Sequence, residues 1–170
     1  MADSGNLVAE SNEANNASNI VPVILGNDSG NTLNGTSGND TIFGFGGNDT
    51  LTGGSGNDTL VGGAGGDHFR FNARSDGLDT IVDFTSGTDV LDFSRLAFGN
   101  KLAIRANTGI LDPSHFIANA TGPITSAQEF WYNTSDHRLY YDADGSGAGA
   151  PIAMALLGVS TLSNTDIHLV

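Results

Sequence analysis

Between Gly26 and Arg70 the chain repeats every nine residues, with no insertion or deletion. The units open at Gly26, Gly35, Gly44, Gly53 and Gly62. Position six is Asn31, Asp40, Asp49, Asp58 and Asp67 in turn, and position eight is Leu33, Ile42, Leu51, Leu60 and Phe69. One large apolar side chain in nine residues cannot form a core alone, so each unit has to stack on its neighbours, which is the logic of a solenoid. Glycines near the start of each unit suit a tight turn, and triplets such as Thr59-Leu60-Val61 suit a short strand with its middle side chain inward. The apolar beat extends to Ile24 before the clear repeats. After them it points to Asp76 and Leu78, as positions six and eight of a degenerate sixth unit.

Stacking brings position-six carboxylates close together. Two carboxylates about 4 Å apart repel by roughly 1 kcal/mol in water and about 4 kcal/mol at an effective dielectric near 20. The chain has little of its own to offset this, since Lys101 is the only lysine and no arginine precedes Arg70. A hard divalent cation fits the need, because carboxylate and turn-carbonyl oxygens are the ligands Ca²⁺ takes. Softer metals are poorly served: there is no cysteine, and His68 is the only histidine in the ladder.

The nines resemble the RTX (repeats-in-toxin) nonapeptide G-G-x-G-x-D-x-U-x, the repeat of a Ca²⁺-binding parallel β-roll. The resemblance implies two nonapeptides per turn, with loops at Gly26, Gly44 and Gly62 on one edge and loops at Gly35 and Gly53 on the other. It further implies three or more ions, from the pairs Asn31/Asp49, Asp49/Asp67 and Asp40/Asp58. Carbonyls of Gly35, Ser37, Gly44, Gly46, Gly53, Ser55, Gly62 and Ala64 would complete their shells. The Asn31 site is expected to be the weakest, because its loop has Asn for Asp and Ser29 for the fourth glycine. Further on, Asp79-Thr80-Ile81-Val82-Asp83-Phe84 and Asp89-Val90-Leu91-Asp92-Phe93-Ser94 resemble the segment that closes the roll in serralysin-type secreted proteins. That likeness makes Asp79 and Asp83 further candidate ligands.

The expected class is therefore all-β: a parallel β-roll over 20–93, capped by a C-terminal antiparallel β region over 94–170, with 1–19 as a polar linker. Expected strands in the cap are 102–105, 129–133, 138–142 and 152–157, with a helical turn at 94–98. Asp142-Ala143-Asp144-Gly145 is read as a turn rather than an EF-hand, because position twelve would be Ala153 instead of a bidentate Glu. Trp131 with a neighbouring tyrosine is one candidate sugar-stacking platform.

Net charge is −13 over 170 residues. That argues against nucleic acid or an anionic membrane as a partner. A hydrophobic content of 38% is too high for a disordered chain. Without cysteine, metal takes the place of disulfides as the staple. No apolar run is long enough to span a bilayer as a helix, and Met1–Asn19 lacks the features of a secretory signal peptide.

The ending Asn164-Thr165-Asp166-Ile167-His168-Leu169-Val170 loosely resembles the uncleaved signal that RTX proteins present to a type I (ABC) exporter. The resemblance thus implies a secreted, extracellular module. Zincin, G-x-S-x-G and P-loop constellations are absent from the sequence, and the chain is expected not to be an enzyme. Two alternatives stand beside this one. The chain could be the non-catalytic part of a larger exported protease, lipase or polysaccharide-modifying enzyme, or it could be a calcium-dependent adhesin or carbohydrate-binding module.

Overall fold

The computed structural model describes residues 21–98, 108–123, 125, 127–145 and 147–170. The linker at 1–19 and the strand expected at 102–105 fall outside them. Each nine delivers one short strand, and successive strands alternate between two sheets. The first sheet takes β1 (Val23–Asn27), β3 (Thr41–Gly46), β5 (Thr59–Ala64) and β7 (Asp79–Ile81) in parallel. The second takes β2 (Thr32–Asn34), β4 (Thr50–Thr52), β6 (His68–Phe71) and β8 (Val90–Phe93), also in parallel. Residues 23–93 form a parallel β-roll.

Register explains why one apolar residue per nine suffices. Ile24, Ile42, Leu60 and Ile81 stand opposite one another in the first sheet. Leu33, Leu51, Phe69 and Leu91 do the same in the second. Ile42, Leu51, Leu60, Phe69, Ile81 and Leu91 are fully buried, while Ile24 and Leu33, at the open front end, are only partly covered. At about 1.5–3 kcal/mol per buried aliphatic or aromatic side chain, these columns are the main apolar stabilisation of the roll.

The expected sixth unit needs correcting. Ile81, not Leu78, enters the core column, because Thr59 pairs with Thr80 and Leu60 with Ile81. The turn has gained three residues. Leu78 stays in the loop, half-buried, and its N–H donates to Asn57 Oδ1 at 3.0 Å.

The second half of the chain brings the expected antiparallel strands and joins them to the sheets of the roll. After α1 (Arg95–Phe98), β9 (Phe116–Asn119), β10 (Phe130–Asn133), β11 (Arg138–Tyr141) and β12 (Ile152–Leu157) continue the first sheet. The pairs β10/β11 and β11/β12 are antiparallel, β9/β10 is parallel, and β12 runs parallel to β7. Finally β13 (Ile167–Leu169) adds to the second sheet beside β8, so Leu157 and Ile167 extend the two apolar columns. An aromatic knot ties the halves together. Phe71 stacks on Phe93 at 4.9 Å, Phe93 meets Phe130 at 4.8 Å, and Phe98 meets Tyr141 edge-on at 5.0 Å. The Tyr141 hydroxyl donates to the Phe98 carbonyl.

With calcium saturating, Leu51→Ala should lower unfolding free energy in a urea melt by about 2–5 kcal/mol, the cost of a cavity in a closed column. Leu33→Ala, at the half-covered front, should cost clearly less in the same measurement.

Candidate metal centre

Asn31, Asp40, Asp49, Asp58 and Asp67 occupy the corners between loop and strand, and stacking puts alternate corners on the same edge. Along one edge, Asn31 N donates to Asp49 Oδ1 at 2.7 Å, and Asp49 N donates to Asp67 Oδ1 at 2.9 Å. Along the other, Asp40 N donates to Asp58 Oδ1 at 2.8 Å. Asp58 N then donates to Asp79 Oδ1 at 3.0 Å. Asp49, Asp58, Asp67 and Asp79 each accept the backbone amide of the aspartate or asparagine one turn before them. Loops at Gly26, Gly44 and Gly62 share one edge, and loops at Gly35 and Gly53 share the other.

The amides satisfy only half of each carboxylate. Asp40, Asp49, Asp58 and Asp67 are each 1% exposed. Asp40 Oδ1 and the Oδ2 atoms of Asp49, Asp58 and Asp67 are buried with no hydrogen-bond partner. Buried carboxylate oxygens without a partner are costly, and a cation is the group that would relieve them. Their burial has a measurable sign. Burial raises the pKa of Asp58 and Asp67, and neighbouring carboxylates, Asp40 for the first and Asp89 and Asp49 for the second, add to the rise. Asp79 is pushed up to about 8, first by burial and then by the charges of Asp58 and Asp76.

The position-one glycines are required by the same packing. A Cβ on Gly53 would fall on the Asp58 carboxylate, and one on Gly44 or Gly62 would fall on that of Asp49 or Asp67. A Cβ on Gly35 would fall on the Gly53 carbonyl, and one on Gly44 on the Gly62 carbonyl, so backbone oxygens also crowd the gap between turns. Among the described residues, no three His, Cys, Asp or Glu side chains gather around one point. An ion would therefore take one or two carboxylates and complete its shell from loop carbonyls. That donor set is oxygen only, which fits Ca²⁺ and not a thiolate- or imidazole-seeking metal. Of the carbonyls expected to contribute, Gly46 and Ala64 lie in register across β3 and β5. Ser55 N donates to Thr36 O next to Ser37.

The remaining acids fall into different roles. Asp83 accepts the amides of Gly62 and Gly63 at 3.0 and 2.8 Å, one on each oxygen, so it braces the Gly62 loop from the following turn. Asp89, which the sequence reading left out, continues the first edge by accepting Asp67 N at 2.9 Å. The signal was present, since Asp79-Thr80-Ile81 and Asp89-Val90-Leu91 both repeat the spacing of Asp58-Thr59-Leu60 out of phase. A second ladder was also missed. Asn39 and Asn57, at position five, accept the amides of Asn57 and Leu78, and Asn48 accepts that of Gly66.

The carboxylate ladder lies inside a stretch that matches a known repeat. The family model of the RTX calcium-binding nonapeptide repeat fits in four copies, at residues 25–60 and 46–69. Over residues 25–69 the nines match that repeat. A search of curated proteins returns no match. Among solved structures, the chain is similar to the AlgE6R3 subunit from the Azotobacter vinelandii mannuronan C5-epimerase, determined in solution. The two share 25% identity over 83% of this chain and 79% of that one, with a TM-score of 0.41.

The glycines and aspartates of the ladder generate two expectations. Gly53→Ala should destabilise the roll by about 1–3 kcal/mol through overpacking. Gly38→Ala, whose Cβ would meet only Thr36 Oγ1 at 3.9 Å, should be tolerated in the same denaturant series. The second expectation concerns pH without metal. Asp79 holds its proton more tightly in the fold, with a pKa of about 8, than at its ordinary value of 3.8. The metal-free roll should therefore be most stable near pH 4 and lose stability steadily up to about pH 8, where the loss levels off. Thermal melts in metal-stripped buffer across that range would check it.

Proposed function

We propose that this chain is a calcium-dependent folding module that works outside the cell and has no catalytic centre of its own. The buried carboxylate oxygens without a partner at the four loop corners Asp40, Asp49, Asp58 and Asp67 carry the reading. Bound Ca²⁺ would supply positive charge and oxygen coordination between turns. The residues proposed to hold it are Asp49 with Asp67, Asp40 with Asp58, and Asn31 with Asp49, helped by loop carbonyls. Asp79 is the proposed additional ligand, on the edge where Asp58 donates to it. Asp83 is a weaker candidate, because both of its oxygens already accept amides.

Coupling of binding to folding gives the module a direction. Where free Ca²⁺ is scarce, like charges oppose stacking and the chain stays extended enough to be exported, by a type I exporter on this reading. Where Ca²⁺ is millimolar, the turns assemble, since extracellular Ca²⁺ modules bind at about 10⁻⁴–10⁻³ M. The proposed export signal, in the ending Asn164 to Val170, then becomes structural. Asp166 accepts the Ser86 hydroxyl at 2.7 Å and the Gly87 amide at 2.9 Å, while Ile167–Leu169 form β13.

A glycan-binding role draws less support. The Trp131 ring stacks on Tyr140 at 4.7 Å, and on the ring a Cβ of Gly122 would stand 3.9 Å from three of its atoms. The indole N–H donates to Asn119 O at 3.1 Å. Tyr140 thus takes one face of the ring, and the indole N–H is already used.

Circular dichroism at neutral pH should show a large gain of β signal between metal-stripped buffer and about 10 mM Ca²⁺, roughly ten times the weaker dissociation constant above. Equal β content in both would mean that the ion does not drive folding.

A further inference from the structure

The five loops are not equivalent, and the difference lies at the second residue of each nine. In the three rear loops that residue is left-handed: Phe45 has φ 76°, Gly54 98° and Gly63 100°. These are the loops whose aspartates, Asp49, Asp58 and Asp67, keep a buried Oδ2 without a partner. In the two front loops the second residue is not left-handed, and its amide closes on the loop's own side chain. Asn27 N donates to Asn31 Oδ1 at 2.8 Å. Thr36 N donates to Asp40 Oδ2 at 2.6 Å, with the Thr36 hydroxyl on the same oxygen at 3.0 Å. Gly38 N in turn holds that hydroxyl at 3.2 Å.

Asp40 still has one bare oxygen, and the cause is on the other side of it. Thr41 N donates to the Pro22 carbonyl, as Thr59 N does to that of Asp40, so Pro22 holds the corner one turn before Asp40. Proline has no N–H to give. The open geometry is kept in the Gly44 loop even without a glycine at position two. A left-handed phenylalanine is strained, and the Phe45 ring stacks on Phe43 at 6.2 Å, which helps to hold it there.

We propose that the second residue of each nine is a gate that sets whether a loop faces an ion or closes on its own carboxylate, and that Thr36 is a closed gate. The inference rests on the calcium reading above. It orders the sites. The Asp49/Asp67 gap is open from both loops and fills first. Asp40/Asp58 is open on the Asp58 side only and fills later, because Ca²⁺ must displace the Thr36 amide and hydroxyl. Asn31/Asp49 is closed on the Asn31 side and carries one charge fewer.

Isothermal titration of the full chain with Ca²⁺ tests this with two variants. Thr36→Gly frees the backbone to turn left-handed and removes the hydroxyl, and should tighten a weaker step by about tenfold, the worth of about one charge-assisted hydrogen bond. Thr36→Val removes only the hydroxyl and keeps a β-branched residue that resists the left-handed region, so it should gain little. An equal gain in both variants, or no gain in Thr36→Gly while the unaltered chain binds Ca²⁺, overturns the gate and leaves the calcium reading standing. No binding by the unaltered chain overturns both. An NMR titration of the unaltered chain avoids any folding defect in a variant. The Phe45 and Gly63 amides should shift at the first equivalent and the Thr36 amide only later; simultaneous shifts, or Thr36 first, would count against the gate.

Discussion

Like charges packed in a column, with backbone amides on one side and nothing on the other, set the terms for this fold. Each aspartate at a corner is buried, accepts the amide of the corner one turn before it where that residue has one, and crowds the glycine that opens its own loop. These contacts fix how one turn sits on the next at the corners, while the loop between corners can lengthen with the column intact, as it does between Asp58 and Asp79. They also mean that the apolar columns and the carboxylate columns are two faces of one register. Moving a strand by one residue would expose the leucines and separate the acids at the same time.

Much of this was legible in the chain, because periodicity is a strong signal and position is unambiguous within a strict repeat. The edges, the strands and the inward residues from Ile24 to Phe69 follow from counting in nines. Counting failed where the repeat admitted three extra residues. Asp76 and Leu78 sat on the beat, yet Asp79 and Ile81 took the corner and the core. The reason is physical: the stack demands an aspartate, an extended strand residue and a large apolar one in turn. Gly77 between Asp76 and Leu78 is left-handed whereas Thr80 pairs with Thr59, and the loop between can lengthen because its amides find Asp76 and Asn57 instead. The same rule would have found Asp89 and Leu91. Distinctions between loops were not legible in this way, since they depend on backbone conformation at Phe45 and Thr36, and nothing in the residue types alone makes a phenylalanine left-handed.

The second half of the chain was read as a cap, and its strands at 130–133, 138–141 and 152–157 fall close to where alternation placed them. Their partners could not be read, because pairing between distant strands leaves no local trace. The structure inserts β12 beside β7 and β13 beside β8, so both sheets of the roll are completed by residues far along the chain. Phe71, Phe93, Phe98, Phe130 and Tyr141 then form one aromatic cluster across what composition suggested was a boundary.

This arrangement separates two kinetic regimes. Within the roll, corner contacts join residues eighteen apart, whereas the latch between Ser86 and Asp166 spans eighty. Loop-closure entropy grows with that span, and non-local parallel pairing is slow. Turns can zip one on another, but the final strands must search for their slots across a long unformed segment. The coil can therefore outrun its own closure, leaving a transient species in which the edges of β7 and β8 are bare and adhesive.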